Sequence, residues 1–173
     1  MMAMGKLRSA KLGLLVVVLV GAWGCSKPDY DGNRKKDAAS GHRPSQIEWG
    51  IIFLEGNKGA YPKDFAKAAR WFELAGTATN YAVANGESRW QINDRFGIPL
   101  ELIREANPDV DMNRIKGGET VAIPGARIAQ FNLGMLYEQG KGVKKDHKRA
   151  AGWHLLAADA GLAVGGVDVQ VAE

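Results

Sequence analysis

Residues 46–56, QIEWGIIFLEG, return later in the chain as residues 130–140, QFNLGMLYEQG. A second pair of stretches follows them, DFAKAARW at 64–71 and DHKRAAGW at 146–153. Each copy is typical of a helix, a glycine turn and a second helix. Repeats of this period predict stacked helical pairs, which present surfaces to other proteins and rarely carry chemistry themselves.

Turn residues mark the same boundaries in both copies: a glycine ends the first helix, an aspartate caps the second, and a glycine ends it. These residues are Gly56, Asp64 and Gly76 in the first copy, and Gly140, Asp146 and Gly161 in the second. Gly50 and Gly134 occupy equivalent positions inside a helix, where glycine costs about 1 kcal/mol against alanine. We therefore expect another helix to cross closely at both glycines.

Small and aromatic residues complete the repeat pattern. The small residues predicted to line the facing helices are Ala68, Ala75, Ala150 and Ala157, and the large residues predicted between the pairs are Trp49, Trp71, Leu133 and Trp153. The pattern resembles the Sel-like (Sel-one) repeats, relatives of the tetratricopeptide family, over residues 46–76 and 128–163. The resemblance implies a scaffold that binds other proteins.

The segment between the copies has a different pattern. Tyr81 begins a short alternating strand, and Ser88 with Gln91 forms a capping box for a first helix that Gly97 ends. Pro99 opens a second helix that Asn107-Pro108 closes, and residues 121–124 form a last strand. The predicted order is strand, helix, helix, strand. Pairing these strands in antiparallel fashion would let the segment enter at a turn without separating the repeats.

This segment, residues 80–124, resembles the LysM domain, which recognises polymers containing N-acetylglucosamine such as peptidoglycan and chitin. The residues in register are Tyr81, Val83, Gly86, Glu87, Ser88, Ile92, Phe96, Gly97, Asn107, Pro108, Ile115, Gly118, Ile123 and Pro124. The resemblance implies a glycan groove between two loops, whose candidate residues are Gly86, Glu87, Ser88, Arg89, Asn107, Pro108, Asp109 and Val110. The alternative is that Ser88 only caps a helix and Asn107-Pro108 only ends one.

Two positions depart from the LysM pattern. Arg89 stands where the family usually has a buried leucine, and Asn93 where it usually has alanine. Because a buried unpaired arginine is very unfavourable, we expect Arg89 to extend to the surface or the first helix to rotate slightly. The change would either weaken glycan binding or add a hydrogen-bond donor.

The N-terminus is typical of an export signal. Lys6, Arg8 and Lys11 precede an apolar run at residues 12–20, too short to cross a bilayer, which needs about 20 residues. Cys25, the only cysteine, follows this run, and the ending resembles a bacterial lipoprotein processing site with lipid on Cys25. The alternative is an ordinary free thiol. The resemblance implies membrane attachment in the cell envelope, facing the periplasm, with Ser26 resembling an outer-membrane sorting signal.

Charge excludes one class of partner. The chain has 23 Lys and Arg against 19 Asp and Glu, and removal of the three basic residues of the leader leaves 20 against 19. A nearly neutral mature chain does not support nucleic-acid binding.

Residues 26–45 are polar and favour a flexible tether. Residues 167–171 alternate as a strand would, and two repeats alone would leave an apolar end face open.

The residues give little support to catalysis or metal binding. His42 lies in the tether, and His147 and His154 share one predicted helix without a third ligand nearby. No nucleophile stands in a recognisable motif, so we expect no cofactor and no enzymatic activity. A glycan-binding adaptor is favoured over a scaffold whose LysM fold has lost its ligand, and both over a small cell-wall hydrolase.

The predicted fold class is mainly α with a small α+β insert, in which two helical hairpins flank a βααβ domain. The predicted segments are a signal peptide (1–24), a lipid anchor and tether (25–45), repeat 1 (46–76), the LysM domain (80–124), repeat 2 (128–163) and a C-terminal tail (164–173). The predicted partners are peptidoglycan strands, the membrane through Cys25, and an envelope protein or a second copy through the repeats.

Overall fold

The computed structural model describes residues 32–56 and 60–159 of the chain. Seven helices and two strands lie within these ranges, in the order α1 (Gly32–Ala39), α2 (Arg43–Glu55), α3 (Phe65–Gly76), β1 (Thr79–Ala82), α4 (Arg89–Phe96), α5 (Leu100–Glu105), β2 (Thr120–Ile123), α6 (Arg127–Gln139) and α7 (His147–Asp159). The described part is therefore mainly helical with one small antiparallel sheet, as the sequence predicts.

The two hairpins, α2–α3 and α6–α7, have the predicted caps. Asp64 Oδ1 accepts a hydrogen bond from Lys67 N, and Asp146 Oδ1 accepts one from Arg149 N, both at 3.0 Å. Gly140 follows α6 in the left-handed conformation, with φ of 66°, where a glycine carries no steric penalty. The capping residues of the second helices and the glycine turns are confirmed.

The helices of each hairpin cross closely at the two predicted glycines. A Cβ atom on Gly50 would lie 2.5 Å from Phe72 Cε1, and one on Gly134 would lie 2.6 Å from His154 Cε1. The four alanines predicted to line the facing helices are all buried. The close crossing is therefore confirmed. The Phe72 ring lies over Gly50, and the His154 imidazole lies over Gly134.

The hairpins pack directly on each other through α3 and α6, although 50 residues of sequence separate these helices. Ala126 N donates to Ala75 O at 2.9 Å, and Gln130 Nε2 donates to Gly76 O at 3.0 Å. A side chain on Gly125 would collide with Gly76 O. The chain therefore leaves α3 and returns to α6 at almost the same point.

The inserted segment accounts for this return. Strands β1 and β2 pair in antiparallel fashion from Thr79 opposite Ile123 to Ala82 opposite Thr120. The order strand, helix, helix, strand is as predicted, and Ser88 with Gln91 forms the predicted capping box of α4. The buried apolar residues of the segment belong to the same core cluster as those of the hairpins, and they are Val83, Ile92, Phe96, Ile103, Val121 and Ile123.

The prediction of a flexible tether over residues 25–45 is wrong for residues 32–45. Helix α1 packs on α2 through Ala38, which is 1% exposed and whose carbonyl accepts a hydrogen bond from Gln46 Nε2. Helix α2 begins at Arg43, before the predicted start of the repeat, with His42 as its N-cap. The polar composition misled the prediction because Arg43 and Ser45 are buried in the fold, and Arg43 bonds to the backbone carbonyl oxygens of Thr77 and Pro124.

Residues 1–31 and 160–173 lie outside the described residues, and with them the predicted leader, Cys25, Gly161 and the C-terminal tail. Among the helices of residues 32–56 and 60–159, none has the length and apolar character that crossing a membrane requires.

Candidate functional site

The first predicted groove loop connects β1 to α4 and exposes its backbone. Gly86 has φ of 77°, and a Cβ atom placed on it would meet no atom within 4 Å. Ser88 is exposed, its backbone N–H donates to Gln91 Oε1 at 2.9 Å, and its Oγ caps the helix. Capping therefore holds this loop in one conformation and leaves the backbone around Gly86 open to solvent.

Glu87 is committed to contacts within the protein. Its Oε2 accepts hydrogen bonds from the Tyr81 hydroxyl at 2.7 Å and from Ala84 N at 2.9 Å, while its Oε1 lies 3.7 Å from Arg95 Nε. Burial, together with the bond to Glu87, raises the pKa of Tyr81 above its ordinary value, so the phenol stays a donor at neutral pH. The largely buried Glu87 carboxylate thus stabilises the conformation of the first loop.

Asn107 in the second loop is also committed. Its side chain is buried and bonds to backbone groups of Ile103 and Ala122. Pro108 and Asp109 are exposed and Val110 is half-buried, so these three residues form the accessible part of the second loop. The hydrogen bonds of the Asn107 amide to Ile103 and Ala122 hold this loop in its conformation.

Arg89 links the first loop to the segment that follows the second loop. Its Nη1 donates a hydrogen bond to Asn113 Oδ1, to which Arg104 Nη2 also donates at 3.4 Å. The Arg89 guanidinium lies 5.1 Å from the centre of the Trp90 ring. The side chain reaches the surface, as predicted for a polar residue at a usually buried position. The first predicted loop therefore contacts the chain at Asn113, three residues beyond the second predicted loop, which ends at Val110.

Trp90 and Asn113 were not predicted as site residues. Trp90 is 63% exposed, the most exposed of the large apolar side chains in the described part of the chain. A signal was present in the sequence, because Trp90 lies about 200° around α4 from Ile92, a residue of the inner face. Asn113 carried no local signal, since its contact with Arg89 spans 24 residues.

The other departure from the LysM pattern has a structural partner. Asn93 Nδ2 donates to Ile98 O at 2.6 Å, so the amide fastens α4 to the turn that follows it.

Within residues 32–56 and 60–159, no group of three or more His, Cys, Asp or Glu side chains is arranged to hold a metal ion. His147 is exposed, and His154 lies 3.8 Å from Glu138 Oε2.

Comparison with known proteins identifies the repeats. Residues 43–80 and 127–162 match the model of the Sel1 repeat. The Sel-like prediction is therefore confirmed, and the chain carries two Sel1 repeats. The resemblance of residues 80–124 to the LysM domain stays a prediction. The chain matches no curated protein.

Two solved structures are similar to the chain. One is a Sel1 repeat protein from Oxalobacter formigenes, with a TM-score of 0.45 and 24% identity over 76% of this chain and 24% of that one. The other is a protective antigen of uropathogenic Escherichia coli strains that displays an SLR fold, with a TM-score of 0.23 and 25% identity over 74% of this chain and 25% of that one. The chain thus spans about a quarter of the length of each.

Proposed function

We propose that the chain is a non-enzymatic, lipid-anchored protein of the bacterial cell envelope that binds peptidoglycan through residues 80–124 and other proteins through its Sel1 repeats. The observation that carries the glycan half is the exposed Trp90, which lies beside Arg89 of the first predicted loop, while Arg89 bonds to Asn113 just beyond the second. The resemblance to LysM, the βααβ order and the capped loop around Gly86 support the same assignment.

The surface has the chemistry that a neutral acetamido sugar requires. Such a sugar offers hydrogen-bond donors and acceptors and a methyl group, which backbone groups on fixed turns and one apolar side chain can recognise. The open backbone at Gly86 supplies polar groups, and Val110 supplies an apolar contact. Trp90 offers a flat apolar face against which a sugar ring can pack.

The repeats support the protein-binding half. Sel1 repeats generally mediate contacts between proteins, and stacked helical pairs provide extended surfaces for them. On α7, Leu155 and Leu156 are 47% and 49% exposed in the described part of the chain. Their partner in this proposal is an envelope protein that contains repeats, or a second copy of the chain.

The runner-up is a scaffold whose insert no longer binds glycan. It is favoured by Glu87 and Asn107, whose polar side-chain atoms already bond to groups of the protein itself. In that reading, residues 80–124 are a structural spacer between the repeats. The two functions differ in one measurable property, which is binding to the wall polymer.

Co-sedimentation with purified peptidoglycan sacculi tests the glycan half. We expect the leaderless protein to pellet with sacculi, and Trp90→Ala to weaken pelleting severalfold while its circular dichroism stays that of the parent. Leu155→Ala removes an exposed apolar side chain of α7, outside residues 80–124, and is the matched control. Absence of pelleting would favour the runner-up. So would equal pelleting of three proteins, namely the parent, Trp90→Ala and Gly86→Trp.

Analytical ultracentrifugation tests the protein-binding half separately. We expect the leaderless protein either to self-associate at high concentration or to capture a repeat-containing envelope protein in pull-downs. Leu155→Glu combined with Leu156→Glu is expected to abolish whichever interaction is seen. A monomer at all concentrations that captures no envelope protein would contradict this half of the proposal.

A further inference from the structure

A second concave site lies where the insert meets the repeats. A cavity of about 560 Å³ opens between α1–α2, α3 and the insert. This volume lies within the range of about 300–1,000 Å³ that is usual for ligand pockets. The cavity is distinct from the loops described above, although Glu87 connects the two sites because its carboxylate holds Tyr81 and Arg95, which line the cavity.

The walls of the cavity carry an excess of positive charge. Three arginines, Arg43, Arg70 and Arg95, line it, against one lining carboxylate, Glu73. Glu87 lies behind Arg95 and offsets part of that one charge. On a mature chain of nearly balanced charge, such a cluster within one cavity favours a ligand that carries carboxylates.

Arg43 is the most unusual of the three arginines. It is 2% exposed, and both of its hydrogen bonds go to backbone carbonyl oxygens, those of Pro124 and Thr77, rather than to a carboxylate. Burial lowers the pKa of Arg43 from its ordinary value to about 10, which still leaves the guanidinium charged at neutral pH. A charge buried without a counter-charge is unfavourable, and an anion in the cavity would offset that penalty.

Two further features favour a peptide as the anion. Gln46 lines the cavity and is 6% exposed, and its Oε1 accepts no hydrogen bond from the described residues, so an acceptor there lacks an N–H donor. Tyr81 and Phe96 provide an apolar wall beside the arginines. Backbone N–H groups, carboxylates and short apolar side chains occur together in peptides.

We propose that this cavity binds the carboxylate-bearing peptide stems of peptidoglycan, and so reads the peptide while the loops around Trp90 read the glycan. This inference rests on the proposed function, because that function makes the wall polymer the ligand. Stem peptides carry several free carboxylates and an amino group on the diamino acid. The three arginines suit the carboxylates and Glu73 suits the amine.

Isothermal titration calorimetry of the full chain, purified in detergent, tests the inference with three probes. The probes are the free stem tetrapeptide, a peptide-free tetramer of N-acetylglucosamine, and an acidic tetrapeptide made only of L-residues. The test variant is Arg70→Glu, since Arg70 is exposed and its replacement leaves the core intact. Lys148→Glu, an exposed residue on α7, makes the same change of charge outside the cavity and is the control.

We expect the stem tetrapeptide to bind the parent and Lys148→Glu equally, and to bind Arg70→Glu at least tenfold more weakly. The sugar tetramer is expected to bind all three proteins alike. Peptide binding without sugar binding would support the cavity and reject the glycan half of the proposed function. No peptide binding, equal affinity of the parent and Arg70→Glu, or tighter binding of the all-L peptide than of the stem would overturn the inference.

Discussion

Asn107 and Ala122 exchange a reciprocal pair of hydrogen bonds. Asn107 Nδ2 donates to Ala122 O at 2.7 Å, and Ala122 N donates to Asn107 Oδ1 at 2.8 Å. The same Nδ2 donates to Ile103 O at 2.6 Å, at the last turn of α5. One buried amide therefore fastens the second candidate loop to β2, and the position of Pro108 and Asp109 depends on it.

Replacing Asn107 with alanine tests this role. We expect Asn107→Ala to lower the free energy of unfolding by about 2–4 kcal/mol, because it leaves buried backbone groups of Ala122 and Ile103 without partners. Urea unfolding followed by circular dichroism measures the loss. Asn80→Ala, at an exposed position of β1, is the control and is expected to change stability by less than about 0.5 kcal/mol. A neutral effect of Asn107→Ala would contradict the structural role.

Three glycines inside helices are expected to respond differently to alanine. Phe72, which faces Gly50, is fully buried, so a Cβ atom at Gly50 has to displace a ring of the core, and we expect Gly50→Ala to destabilise by about 1–3 kcal/mol. The His154 ring over Gly134 belongs to a partly exposed side chain that can rotate away, so Gly134→Ala is expected to have a smaller effect.

Gly152 is the matched control for these two substitutions. It lies inside α7, and a Cβ atom placed on it would meet no atom within 4 Å. We expect Gly152→Ala to stabilise by about 0.5–1 kcal/mol through helix propensity alone. Thermal unfolding of the three variants measures the ranking, and a Gly50→Ala protein as stable as Gly152→Ala would refute the close crossing.

Arg43 joins the first repeat to both ends of the insert, since Thr77 precedes β1 and Pro124 follows β2. Lysine keeps the charge but lacks the fork that bonds two carbonyl groups at once. We therefore expect Arg43→Lys to destabilise by about 1–3 kcal/mol in urea unfolding. Arg114→Lys alters an arginine whose side chain is 87% exposed and is expected to change stability by less than about 0.5 kcal/mol.

The lipid anchor rests on residues outside the described ranges and is tested in cells. We expect the parent protein to fractionate with membranes and to incorporate labelled palmitate. Cys25→Ser is expected to lose the label and to appear in the soluble fraction, because Cys25 is the only cysteine that could carry the acyl chains. A parent protein that is soluble and free of acyl chains would reject the anchor.

Local patterns explain how much of the fold could be predicted. The caps Asp64, Asp146 and Ser88 bond to N–H groups three residues away, so the residues that set these helix starts lie side by side in the sequence. The spacing of apolar residues and glycines likewise set the hairpins and the strand, helix, helix, strand order. The candidate loops were predicted from the resemblance to the LysM domain. The structure added that the side chains of Glu87 and Asn107 in these loops already bond to other groups of the protein.

The sequence by itself therefore determined the two helical hairpins, their Sel1 character and the order of elements in the insert, because periodicity and capping act over a few residues. Only the tertiary structure decided that residues 32–45 join the fold, that Arg89 meets Asn113, and that three arginines share one cavity. Arg43 and Pro124, for example, are 81 positions apart in the chain. Contacts over such distances depend on how whole elements pack, which no local pattern records.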